Sequence, residues 1–153
     1  SVNTVAVAEI FAAKANALMS RAAARDLYDF CNMVDQNTIS GKEDLFRKCT
    51  VFYATISAKE VNRTFDTVAI DKLSFSRIRT DLFPVLGVNK KFALEEKKLQ
   101  AKEFIAAVMM LQDGEKEYMD RFISKEYRPE LLFEDYEIVE RIKNHPMALW
   151  KCR

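Results

Sequence analysis

The sequence is poor in glycine and histidine and its cysteines are scattered, and each shortage removes a class of chemistry. The three glycines, Gly41, Gly87 and Gly114, are isolated from one another. There is therefore no G-x-G-x-x-G and no G-x-x-x-x-G-K loop to wrap a phosphate. His145 is the only histidine, which excludes His-rich metal sites and leaves a Ser–His–Asp triad hanging on a residue eight positions from the end. Cys31, Cys49 and Cys152 are odd in number and lack C-x-x-C spacing, so zinc and thioredoxin-like chemistry are not expected. They read as free thiols of a reducing cytoplasm. The longest unbroken apolar run, residues 104–111, is far short of the ~20 residues that span a bilayer, so no membrane partner is expected. Glu9 and Lys14 interrupt the apolar N-terminal stretch, which does not read as a signal peptide. The first residue is Ser1 rather than Met, as in a processed product or a piece of something longer.

What is present is an ordinary globular composition: 153 residues, 49% hydrophobic, 31% charged, net charge +1. A single domain of this size buries enough surface to stand without disulfides or metal. The charge is uneven. Residues 76–102 carry seven bases against three acids, and residues 103–143 six bases against eleven acids. Two helix surfaces that attract each other explain this most simply. A basic face for a phosphate-bearing partner, built on Arg77 and Arg79 with Lys90, Lys91 and Lys97, is the sharper reading.

Residues 1–83 contain no proline and one glycine, which suits long helices. Apolar spacing of three and four predicts helices to residue 20 and over 24–36, then a third with Leu45, Cys49, Phe52, Tyr53 and Ile56 on one face. Ser40 is a candidate cap for that third helix. Ser57-Ala58-Lys59-Glu60 reads as a capping box opening a short helix to residue 65. Further helices are expected over 74–82, 92–112, 115–124, 134–143 and 146–151, with His145 capping locally beside Pro146 and Asp113-Gly114 acting as a break. The expected fold is mainly α: one compact helical bundle over residues 1–153, with at most a strand remnant at residues 1–8, where Val5-Ala6-Val7 alternates.

Lys14 is the most informative position. At about 100° per residue, Ile10 and Leu18 lie about 40° from it and Phe11 and Ala17 about 60°, placing a cation within an apolar stripe. A buried ammonium needs a partner, or it must snorkel to the edge with its stem on apolar surface. Partners are near: Asp26 and Asp29 share a face of the next helix, with Arg25 four residues before Asp29. Lys14 is expected within about 4 Å of Asp29 or Asp26. The plainer account is acids favouring a helix N-terminus and an Arg25–Asp29 surface pair.

The segment Glu9-Ile10-Phe11-Ala12-Ala13-Lys14, followed by Ser20-Arg21-Ala22-Ala23-Ala24-Arg25-Asp26-Leu27-Tyr28-Asp29, resembles the abortive-infection AbiEii/AbiGii toxin nucleotidyltransferases of type IV toxin–antitoxin systems. Residues 78–86, 127–133 and 140–151 fit the same pattern. The resemblance implies transfer of a nucleotidyl group from an NTP, with Mg²⁺, to a tRNA or protein acceptor, and a cognate antitoxin as partner. It further implies that Lys14 contacts the triphosphate, that Asp29 is an acidic residue of the active site, and that Arg25 and Asp26 position these two. The chain also departs from the pattern. No glycine is followed by serine and no Asp-x-Asp occurs, so the metal-holding core is expected N-terminal to this chain, and the chain alone is expected to bind no NTP or metal and to be inactive. Helices that packed on such a core should leave an apolar patch at Val5, Val7 and Ile10, covered by a second copy as a homodimer. A non-enzymatic helical module that binds an antitoxin or a subunit is the alternative, separated from an enzyme by whether a Gly-Ser turn and two carboxylates lie upstream.

Overall fold

The alanine-rich N-terminal segment is helical from its second residue, within the expected limit of at most a strand remnant there. The computed structural model describes residues 2–61, 64–74 and 91–153. Helix α1 spans Val2–Ser20, α2 Ala24–Asp35, α3 Glu43–Ser57, α4 Val68–Asp71 and α5 Lys91–Val108. Helices α6 Asp113–Ile123, α7 Tyr136–Ile142 and α8 Pro146–Lys151 follow, with a 3₁₀ turn at Pro129–Leu131 between α6 and α7. The fold is helical, with no strand among the described residues.

Helix α1 packs on α3 through its smallest residues. Ala8, Ala12 and Ala15 are fully buried, so the two backbones approach closely enough for the Asn16 side-chain amide to donate to the Thr50 carbonyl at 3.1 Å. Phe11 and Leu18 complete the buried face, and Ile10 is 58% exposed. The burial stripe is thus rotated from the one that large side chains alone suggest. Lys14 sits at its margin, and Val5 and Val7 are half-buried, so of the three residues expected to form an exposed patch only Ile10 is exposed.

Phe11, Phe30, Phe46 and Phe104, one each from α1, α2, α3 and α5, meet with ring centroids 4.7–5.9 Å apart. Tilted and edge-on contacts of this kind add to the burial of each ring. Helix α3 is the centre of the bundle, buried from Phe46 through Ile56 on more than one side. Its Thr55 hydroxyl hydrogen-bonds the buried Tyr118 hydroxyl of α6 at 2.9 Å.

Several helix ends differ from the sequence reading. The hydroxyl of Ser57 donates back to the Tyr53 carbonyl and so closes α3 instead of capping a new helix. The next helix is the short α4. Lys42, not Ser40, is the N-cap of α3. Asp113-Gly114 opens α6 rather than breaking a helix: the Gln112 amide donates to Glu115 Oε1 at 2.8 Å, and a Cβ on Gly114 would lie 2.9 Å from the Leu131 carbonyl oxygen. His145 does cap: its Nδ1 accepts from the Met147 amide at 3.2 Å, with Pro146 in the first turn of α8. The helix expected over 74–82 falls outside the described residues but for Ser74. Lys97 and Lys102 of α5 pair elsewhere than with the acidic stretch that follows them. Lys97 reaches Asp35 of α2, and Lys102 reaches Asp71 of α4.

One ionic cluster is sealed inside. Arg47 Nε lies 2.7 Å from Oε1 of the fully buried Glu115, with Lys48 Nζ 3.3 Å from Oε2. Burial by itself would raise the Glu115 pKa, but the Arg47 hydrogen bond, the Gln112 amide and the Arg47 and Lys48 charges outweigh it and hold the carboxyl below its ordinary value. A depressed carboxyl contributes stability that is fully present above the unfolded-state pKa and is lost as pH falls through the folded one. Urea unfolding followed by circular dichroism should therefore show stability falling as the pH is lowered below about 4.5, the ordinary value. Glu115→Gln should flatten that acid limb. An unchanged slope in Glu115→Gln would remove Glu115 as its cause.

Candidate functional site

The connection between α1 and α2 sets the geometry of the site. Only Arg21, Ala22 and Ala23 separate the two helices. Ala22 takes a positive φ of 48° and is buried, and its amide donates to the Ala17 carbonyl at 3.1 Å. This left-handed residue turns the chain back at once. Lys14 lies six residues before the end of α1 and Asp29 five residues after the start of α2. At 1.5 Å per residue those heights are about 9 Å and 7.5 Å from the turn, so the two side chains come level.

They meet. Lys14 Nζ donates to Asp29 Oδ2 at 2.9 Å, with 35% and 42% of the two side chains exposed. The pair is therefore open to water on one side and not sealed by neighbouring helices. Asp26 is arranged differently. Its side chain is buried in the first turn of α2 and accepts from Arg21 Nε at 3.1 Å, while Arg21 is itself mostly exposed. Arg25 is exposed and has no ion pair among the described residues. The expected Arg25–Asp29 surface pair is thus absent, and Arg21, which sequence reasoning quoted only as part of the motif, holds Asp26. The signal for Arg21 was its place at the turn, five residues before Asp26. Tyr28, between the two aspartates, has a buried hydroxyl without a hydrogen-bond partner among the described residues, and burial raises its pKa. Arg77 and Arg79 lie outside the described residues.

The resulting surface presents one ammonium and one carboxylate, each with solvent-facing capacity left. The ammonium retains two N–H donors for an anionic oxygen, and the carboxylate retains acceptor sites. A divalent cation is not well served. Asp26 and Asp29, both on α2, each already hold a cation of the protein, and no group of three or more His, Cys, Asp or Glu side chains gathers among the described residues. Among the described residues no helix is long and apolar enough to cross a membrane.

The family model described as nucleotidyl transferase AbiEii toxin, type IV toxin–antitoxin system, matches residues 1–131. That span contains Lys14, Arg21, Arg25, Asp26 and Asp29 and most of the chain. No curated protein and no solved structure matches the chain.

Proposed function

From the premise that this chain belongs to the AbiEii nucleotidyl transferase toxin family of type IV toxin–antitoxin systems, we propose that it supplies the nucleotide-contacting half of a nucleotidyltransferase site. Lys14 holds triphosphate oxygens of the NTP, and Asp29 orients Lys14 for that contact. Asp26 is a positioning residue, fixing the start of α2 through Arg21. The single observation that supports this reading most is the water-facing Lys14–Asp29 pair at 2.9 Å. A bridge serving only to hold α1 to α2 has no need of one open side.

Mg²⁺, when bound, neutralises charge on the transferring phosphoryl group. The residues described here do not fit that ion, because the two nearest carboxylates are each engaged by a basic side chain. In our reading the metal carboxylates come from another polypeptide segment, since no Asp-x-Asp occurs in these 153 residues. Lys14 acts by charge and position: an ammonium fixed by a carboxylate needs no reorganisation when phosphate negative charge shifts during transfer. The acceptor is an RNA or a protein hydroxyl, and the family implies an antitoxin as partner.

The test is direct. With Mg²⁺, labelled NTPs and pools of tRNA and protein, the 153-residue chain alone should leave both unlabelled. Robust labelling by this chain alone would overturn the division into two halves.

A further inference from the structure

A cleft of about 650 Å³ lies where the end of α6, the end of α8 and the residues after α3 come together. That volume is in the range of about 300–1,000 Å³ found for ligand pockets. Its wall carries four cations, Lys59, Lys125, Lys151 and Arg153, against one acid, Glu60. Trp150 stands in the same wall, 60% exposed. The Lys14–Asp29 pair is not part of it.

The four cations differ in what they have left to give. Lys151 is spent on structure: its Nζ donates to the Thr55 carbonyl at 3.0 Å and to the Ala58 carbonyl, at the C-terminal end of α3. Lys125 donates to the Lys151 carbonyl at 2.9 Å, which fixes its ammonium at the rim. Burial is the main cause of the depressed Lys151 pKa, and the neighbouring Lys125 charge pushes it the same way. Lys59 and Arg153 are exposed and have no ion pair among the described residues. A cluster of this kind attracts a polyanion. An exposed indole beside it offers a stacking face to an unpaired base.

We propose that this cleft holds a short stretch of single-stranded RNA, with one base on Trp150 and three neighbouring backbone phosphates on Lys59, Lys125 and Arg153. The proposal rests on the transferase reading for its purpose, since it makes RNA the acceptor class. The binding itself is independent of Lys14. An acidic protein segment would meet the same charges but would leave the indole face without a stacking partner.

Trp150 is the only tryptophan of the chain, so tryptophan fluorescence, excited selectively over the tyrosines, reports on this cleft. The full chain would be titrated with a short single-stranded RNA, with poly-L-glutamate and with inorganic triphosphate. The RNA should quench Trp150 saturably. With three phosphates neutralised, a slope of about −0.7 per phosphate predicts roughly twentyfold weaker binding when salt is raised about fourfold. Lys59→Ala and Arg153→Ala, both surface changes, should each weaken binding severalfold and lower the salt slope by about 0.7. Trp150→Phe, followed by anisotropy of labelled RNA, should retain part of the affinity, and Lys14→Ala all of it. The proposal is overturned if RNA fails to quench, if polyglutamate or triphosphate quenches as well as RNA, or if Lys59→Ala and Arg153→Ala bind as wild type. Loss of transfer with RNA binding intact would instead count against the Lys14–Asp29 reading.

Discussion

Arg47→Met is expected to cost about 3–5 kcal/mol of folding stability, because it strips the main partner from a carboxylate that has no exposed surface. Glu115 would keep only Lys48, at 3.3 Å, and the Gln112 amide. Asp44, now 2.8 Å from Arg47, is exposed and loses little. In a domain whose total stability is about 5–15 kcal/mol, this is a large share, and thermal midpoints should fall by roughly 6–20 °C. Pairing the change with Glu115→Leu should recover much of the loss, since replacing both members of a buried pair by apolar residues is often neutral. Chemical unfolding of the two single variants and the double variant provides the coupling energy. A single Arg47→Met variant within about 1 kcal/mol of wild type would show that the cluster does not hold α3 to α6.

Asp29→Ala should behave in the opposite way: nearly silent in stability and severe in activity. The Lys14–Asp29 pair is more than a third exposed on both sides, and pairs of that kind are worth about 0.2–1 kcal/mol. Its removal frees Lys14 to sample solvent. If these 153 residues work with a metal-bearing half, as proposed above, a mispositioned ammonium should lower nucleotidyl transfer by the combined enzyme roughly 10²-fold, the scale on which loss of one preorganised charge donor is felt. Asp29→Asn should recover part of the rate by keeping a hydrogen bond to the ammonium. Equal losses in Asp29→Ala and Arg25→Ala would mean that the exposed arginine, not the ion pair, matters.

The helical fold was legible because every long segment carries a three-to-four spacing that a strand cannot bury. The Lys14–Asp29 pair was legible for a related reason: a cation near an apolar stripe, a short connection and an acid at the matching height leave little choice of partner. The details that escaped reading belong to packing. Alanine weighs little in a hydrophobic pattern, yet Ala8, Ala12 and Ala15 are what bring α3 close, and this turned Ile10 outward. Ser57 has the sequence of a cap but spends its hydroxyl inside α3. Arg47 and Glu115 are 68 positions apart, and no local spacing announces that pairing. Asp26 went to Arg21 because the buried first turn of α2 faces the end of α1.

The central claim is that the Lys14 ammonium serves a nucleotide and not merely the bundle. It is tested most directly by the rate of labelled nucleotidyl transfer when the chain carrying Lys14→Ala is assayed together with the proposed metal-bearing half, at saturating Mg²⁺ and matched folded fraction. The account predicts a loss of about 10²-fold or more with a thermal midpoint within a few degrees of wild type. Transfer at the wild-type rate, or a loss matched by unfolding, would contradict it.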